Sequence, residues 1–242
     1  YGEWSTAKWD AYTPETIPGY TVNENVVPEV EVKNGQKNVT VNITYTANEQ
    51  SGKISYQDAD GKEIGSTTIT GKTSETITVT PEVPAGWEIV PGQDIPATVT
   101  ATADGIPTVV IKIKHGITNV DHTNPVPDGE KTVTGSVIDG AYENDLNQTI
   151  TRTIVVTKPD GTKQTIPQAA KIYRNATYDD VTGDVIYGEW STAKWDAYTP
   201  ENIPGYTVSE SIVPAVEVKN GQQDETINIT YIANEQTGKI SY

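Results

Sequence analysis

Cysteine, methionine and phenylalanine are missing from all 242 residues. Without cysteine there is no disulfide, no zinc–thiolate site and no cysteine nucleophile. The bulk of any core must come from Ile, Val, Trp and Tyr. Histidine occurs twice, as His115 and His122, too sparsely for catalysis that relies on imidazole. Both stand in or beside a polar stretch and read as solvent-exposed. No glycine-rich phosphate loop follows a strand-like run, so the sequence predicts no enzyme. Apolar runs fall well short of the ~20 residues that span a bilayer, and no membrane insertion is expected. Positive charge is scarce: 17 Lys and Arg face 33 Asp and Glu, a net charge of −16. A chain this acidic repels nucleic acid and anionic membranes. It opens with strand-like sequence and without a start methionine or secretory signal, and reads as a window cut from a longer protein.

What the sequence does contain is a long repeat. Residues 1–56 return at 187–242, an offset of 186 without a gap, with 45 of 56 positions identical. The string YGEWSTAKWDAYTPE recurs letter for letter from Tyr187 to Glu201. A period of 186 residues is too long for a solenoid unit, so each period is expected to hold complete globular domains on a string. A weaker similarity divides the period. ISYQDADGKEI (54–64) and TIVVTKPDGTKQTI (153–166) each place Asp-Gly between two alternating runs, and Gly61 and Gly161 supply the positive φ of a tight hairpin.

Period-two alternation is clear in several runs. Val39, Val41, Ile43 and Tyr45 share one face of a strand, as do Val109, Ile111 and Ile113. Ile150, Arg152, Ile154 and Val156 share another, opposite a run of Thr. Such a pattern signals half-buried antiparallel strands. Helical periodicity is nearly absent, and the best candidate for a turn of helix is Ser191–Glu201, where Pro200 could begin one. The fold class expected is mainly β, α+β at most.

Candidate binding residues are aromatic. Trp190, Trp195 and Tyr198 crowd one segment, and Trp4, Trp9 and Tyr12 repeat them in the first copy. Aromatic faces stack on sugar rings, although these side chains can equally fill a core that lacks Phe. Asp58 and Asp60 start like a calcium loop but lack its twelve-residue spacing and terminal Glu; the hairpin turn accounts for them fully. Calcium could still meet some of the 33 acidic residues, at no position the sequence fixes. No other cofactor is expected.

Several ordered phrases resemble a known family. TRTIVVTKPDGTKQTI, VTGDVIYGEWSTAKWDAYTPENIPGYTV and INITYIAN are similar to the MUB repeat of lactobacillal mucus-binding adhesins. GKISYQDADGKEI, AGWEIV and VVIKIKHG resemble its smaller half, related to the MucBP module. The resemblance covers essentially the whole chain. It implies tandem β-grasp, ubiquitin-like domains in an elongated beads-on-a-string arrangement. The expected domains are an incomplete larger domain over 1–46, lacking its opening hairpin, and a MucBP-like domain over 47–116. A complete larger domain over 117–233 follows, its first residues, 117–131, forming a linker. Residues 234–242 are expected to be the first strand of another small domain.

The resemblance further implies export, wall anchoring elsewhere in the parent chain, and binding to mucin glycans, sialylated ones among them, or to other host glycoproteins. Immunoglobulin is a second implied partner. A ligand-free stalk is the alternative reading, because near-identical copies suit a spacer as well as a multivalent binder.

Overall fold

The structure, a computed structural model, describes residues 1–240 and divides into two compact units, residues 1–114 and the residues from His115 onward. It is nearly all β, as the alternation predicts. The first unit contains β1 (Ala7–Trp9), β2 (Tyr20–Val22), β3 (Val30–Val32), β4 (Tyr45–Ala47), β5 (Glu49–Gln57), β6 (Glu63–Lys72), β7 (Thr76–Thr78), β8 (Trp87–Ile89), β9 (Thr98–Thr100) and β10 (Val109–His115), the last reaching the unit boundary. The second contains β11 (Ile117–Val120), α1 (Glu143–Leu146), β12 (Asn147–Thr157), β13 (Lys163–Tyr173), β14 (Ala176–Asp179), β15 (Val185–Tyr187), β16 (Ala193–Trp195), β17 (Tyr206–Val208), β18 (Val216–Val218) and β19 (Glu225–Ala233).

Each unit is built on one four-stranded mixed sheet. In the first the order is β6-β5-β10-β8, with β5 and β10 parallel. In the second it is β13-β12-β19-β17, with β12 and β19 parallel. The Asp-Gly hairpins join β5 to β6 and β12 to β13, with Gly61 and Gly161 both at φ 82°. Parallel neighbours need a long crossover. Here short strands and irregular chain make it, where a helix is usual.

The alternating residues of β5, β10, β12 and β19 become the cores, whereas Val39 and Val41, from the run expected to be a strand, lie outside any strand and are exposed. Ile54, Tyr56, Val109, Ile111 and Ile113 close the first sheet. Beneath the second lie Ile150, Ala170, Ile172, Trp195 and Val218 at one end, and Ile154, Val156, Val213 and Ile229 at the other. Arg152 shares the apolar face with them and is only 1% exposed. Its Nε and Nη2 donate to Gln168 Oε1 at 3.0 and 2.7 Å, Nη1 to the Pro214 carbonyl at 2.9 Å, and Nη2 to the Asp196 carbonyl at 2.8 Å. Its guanidinium also lies 5.3 Å from the centre of the Trp195 ring.

Three expectations need correction. Residues 117–131 are not a linker. β11 pairs antiparallel with β14, and Val120 and Val126 are buried with Ile138, Ala141, Leu146 and Ala176 in a small separate core. These apolar residues are too widely spaced to register as a period, so the stretch reads as polar loop. Ser191–Glu201 is not helical: Trp195 pairs with Val216 in β16–β18, and Tyr198 bridges to Val213. Among the described residues the one α-helical turn is α1, where the Tyr142 N–H donates to Asp145 Oδ2 at 3.1 Å. Residues 234–240 carry no strand. Their first copy forms β5 by pairing with β6 and β10, and no counterpart of either stands in the sequence. Residues 241 and 242, the end of that expected strand, lie outside the described residues.

The first copy itself remains open. β1–β3 and β2–β4 are two-stranded, and Pro14 is the only buried residue among 1–47. The hairpin β12–β13 that covers the second copy has no counterpart among residues 1–47.

Candidate functional site

The aromatic segment proposed from the sequence turns out to be structural in the second copy. Trp195 is 1% exposed, and its indole Nε1 donates to the Ile150 carbonyl at 3.2 Å. It therefore cannot stack on a sugar. Trp190 is half-buried against the same core, with the Arg174 guanidinium 4.8 Å above its ring. Tyr198 packs on the Ile154–Ile229 core. In the first copy, Trp4, Trp9 and Tyr12 are exposed at 76%, 40% and 57%, with no strand pair like β12–β13 among residues 1–47 to cover them.

Asp58 is a turn residue: its Oδ1 accepts the Asp60 and Lys62 N–H groups at 3.0 and 2.9 Å. Asp60 stands beside it in the same exposed turn. No group of three or more potential metal-binding side chains gathers among the described residues.

A different place has the character of a site. The three-stranded sheet runs β11-β14-β15, and its registers align Asn119 with Thr177 and Thr177 with Ile186. Directly opposed residues share a face, and the next row along a strand points the other way. The next row is Val120, Ala176 and Tyr187, whose first two members are buried in the small core. The face bearing Asn119, Thr177 and Ile186 thus points outward. There an open cleft of about 410 Å³ forms, continued by Asp121, Asn175 and the bare backbone of Gly188. That volume lies within the range of small-molecule sites.

Its chemistry is mixed. Ile186 is 70% exposed and supplies an apolar wall. Asn119 and Thr177 have no side-chain hydrogen-bond partner among the described residues, so both are available to a ligand. Asn175 is held in place: its Oδ1 accepts the His122 backbone N–H at 2.9 Å and contacts His122 Nδ1 at 3.0 Å. His122 in turn stacks on Tyr173 at 3.7 Å between ring centres. The Thr123 hydroxyl and N–H, which donate to the Asp121 carboxylate, hold it below the usual carboxylate range. It is ionised at neutral pH, and no lining residue carries positive charge. Behind the sheet, Arg174 is wedged between Tyr187, 3.6 Å from its ring centre, and Trp190, and its Nε donates to the Asp145 carbonyl at 2.8 Å.

The β14–β15 turn that sets the cleft's edge depends on Asp179. Burial pushes its carboxyl up. The Thr182 N–H, the His115 ring at 2.7 Å and the Val181 N–H outweigh that and hold it below the ordinary value. A depressed folded-state pKa gives stability that is present above the unfolded pKa, about 3.9, and lost as pH falls through the folded value. Asp179→Asn is therefore expected to lower the second unit's melting temperature at neutral pH. The gap to wild type should close in acid below the ordinary Asp range. Calorimetry of both proteins across that range measures it.

The Muc B2-like domain model matches residues 1–49 and 141–235, more than half of the chain. The chain belongs to the Muc B2-like domain family. Between the two Muc B2-like segments, residues 53–111 match the MucBP domain. Among solved structures, that of Mub-RV is 21% identical, with a TM-score of 0.48, covering 77% of this chain and 100% of that one. The type 2 repeat of the mucus binding protein MUB from Lactobacillus reuteri is 25% identical, with a TM-score of 0.38, covering 76% of this chain and 100% of that one. The mucin-binding domain of Spr1345 from Streptococcus pneumoniae is 29% identical, with a TM-score of 0.35, covering 37% and 94% respectively. No curated protein matches the chain. The cleft lies on both sides of the family match: β14 and β15 fall within the second Muc B2-like segment, and β11 precedes it.

Proposed function

We propose that this Muc B2-like and MucBP stretch is a non-enzymatic repeat segment of a bacterial surface adhesin, and that it binds host mucin glycans at the β11-β14-β15 cleft. The family matches and the MUB-like phrases support the mucin class. The mixed strand order of the two large sheets supports the β-grasp reading. The observation that carries the site is the pairing of unpartnered amide and hydroxyl groups with an exposed apolar wall, which is what a sugar ring demands. The reading places the chain outside the cell, anchored by parts of its parent protein beyond this stretch. No helix among the described residues is long and apolar enough to cross a membrane.

The ligand is an uncharged sugar unit. A sialic acid carboxylate would meet Asp121 with no cation among the lining residues to offset it, and the chain as a whole is at −16. One shallow open site binds weakly, and tandem copies raise the effective concentration, adding up to ~10²–10⁴ when the geometry allows.

Binding of the whole chain to immobilised mucin tests the proposal. Asn119→Ala combined with Thr177→Val, both surface changes, is expected to weaken binding at least about tenfold, the equivalent of ~1.4 kcal/mol. Sialidase treatment of the mucin should leave binding intact. Equal binding by the double variant removes the cleft as the site but leaves the adhesin. Failure of the wild-type chain to bind at any surface density removes the adhesin reading.

A further inference from the structure

The first unit shows how a Muc B2-like segment meets the MucBP domain that follows it. A single residue, Asn48, separates β4 from β5, and its N–H, its carbonyl and its Oδ1 are all engaged. Its N–H donates to the Gly19 carbonyl at 2.8 Å, and its Oδ1 accepts the Thr21 hydroxyl at 2.6 Å. Its carbonyl accepts the Thr73 N–H at 2.9 Å and the Thr73 hydroxyl at 3.3 Å. Gln50 Nε2 donates to Thr73 Oγ1 at 2.9 Å, and the Tyr20 hydroxyl donates to Ser74 Oγ at 3.1 Å. Thr73 is buried.

Two backbone features show that this contact is built in. Ser74 holds φ at 72°, a left-handed conformation that non-glycine residues seldom adopt. Gly19, at φ 81°, lies so close that an added Cβ would stand 2.6 Å from Thr73 Cγ2 and 3.0 Å from the Ala103 Cα.

The second copy carries the same residues and makes the same contacts on its own side of the joint. The Asn234 N–H donates to the Gly205 carbonyl at 2.8 Å, and the Thr207 hydroxyl to Asn234 Oδ1 at 2.5 Å. Gly205 has φ 84°, and a Cβ there would meet nothing within 4 Å. Residues 238–242, Gly-Lys-Ile-Ser-Tyr, repeat 52–56.

We infer that Gly19, Tyr20 and Asn48, and equally Gly205, Tyr206 and Asn234, form a docking surface for one kind of partner, a MucBP domain presenting a buried threonine followed by a left-handed serine. The surface is occupied in the first copy and preformed in the second. It turns a one-residue junction into a fixed joint. Modules linked by small polar contacts move relative to one another by default. This joint instead holds a MucBP domain at a set angle to the Muc B2-like segment that precedes it.

The two copies supply their own control. Gly19→Val and Gly205→Val incur the same strain in a left-handed backbone, and only the first meets Thr73. The chain has no native cysteine, so Asn34→Cys with Asp94→Cys places two spin labels, one on each side of the joint. The interspin distance distribution of the whole chain should be narrow. Gly19→Val should broaden it about twofold, toward the mobility expected of unlocked modules, and Gly205→Val should leave it unchanged. Tyr20→Phe, which leaves the backbone unstrained, should broaden it in the same direction. A broad distribution without these substitutions, or equal broadening by the two glycine variants, overturns the inference.

Discussion

Trp195→Ala is expected to cost the second unit about 3–5 kcal/mol, the range for truncating a large buried aromatic, while Trp9→Ala costs the first unit less than about 1 kcal/mol. The two residues stand at the same place in an identical fifteen-residue string, so local sequence gives no reason for a difference. The difference is tertiary. Trp195 is enclosed by Ile150, Ala170, Ile172 and Val218, and its indole N–H is matched to the Ile150 carbonyl. Trp9 has no hairpin above it and stays 40% exposed. Calorimetry of the whole chain resolves the comparison, because the second unit's melting temperature should fall by on the order of 10 °C or more. Similar losses from both variants would mean that the first copy is covered in solution by something outside these 242 residues.

Arg152→Met is the second large effect. The substitution keeps most of the side-chain volume and removes the charge, so the loss it produces reports hydrogen bonding. Gln168 Oε1 and the carbonyls of Pro214 and Asp196 would lose their donor. Each hydrogen bond to a charged group contributes ~1.5–3 kcal/mol net, but Pro214 and Asp196 are exposed and Gln168 Nε2 still donates to the Asp196 carbonyl at 2.9 Å, so water and Gln168 offset part of the loss and a total of about 2–4 kcal/mol is expected. None of the three acceptors titrates. The loss should therefore be the same from about pH 4 to about pH 8, whereas a buried ion pair would show a carboxylate's proton linkage across that range. Urea unfolding at both ends of the range measures it, and a loss that shrinks in acid would reveal a carboxylate partner.

Arg152 also illustrates what is legible in a sequence of this kind. Its place on the apolar face of β12 follows from the alternation alone. So do the strands Val109–His115 and Asn147–Thr157 and both Asp-Gly hairpins. Period two is a geometric property of one strand, and needs no partner to be read. The small core of Val120, Val126, Ile138 and Leu146 is illegible for the converse reason. Its members come from the end of β11, from separate loops and from α1, and no local period links them.

The candidate site was hidden by the same cause. Asn119, Asp121 and Asn175 look like loop residues until β11 and β14 are paired, and only the register shows that Asn119, Thr177 and Ile186 share a face. Trp190 and Trp195 are conspicuous in the sequence because they are large aromatic residues in a polar segment. In a chain without phenylalanine, however, the core takes them first.

Amide chemical-shift perturbation tests the central claim most directly, because it places the ligand on named residues. The isotopically labelled whole chain is titrated with neutral oligosaccharides released from mucin. Saturable shifts are predicted at Asn119, Asp121, Asn175, Thr177, Ile186 and Gly188, with none at Trp195 or in the Asp58 turn. Saturable shifts centred elsewhere, or none at any concentration of neutral glycan, would contradict the account.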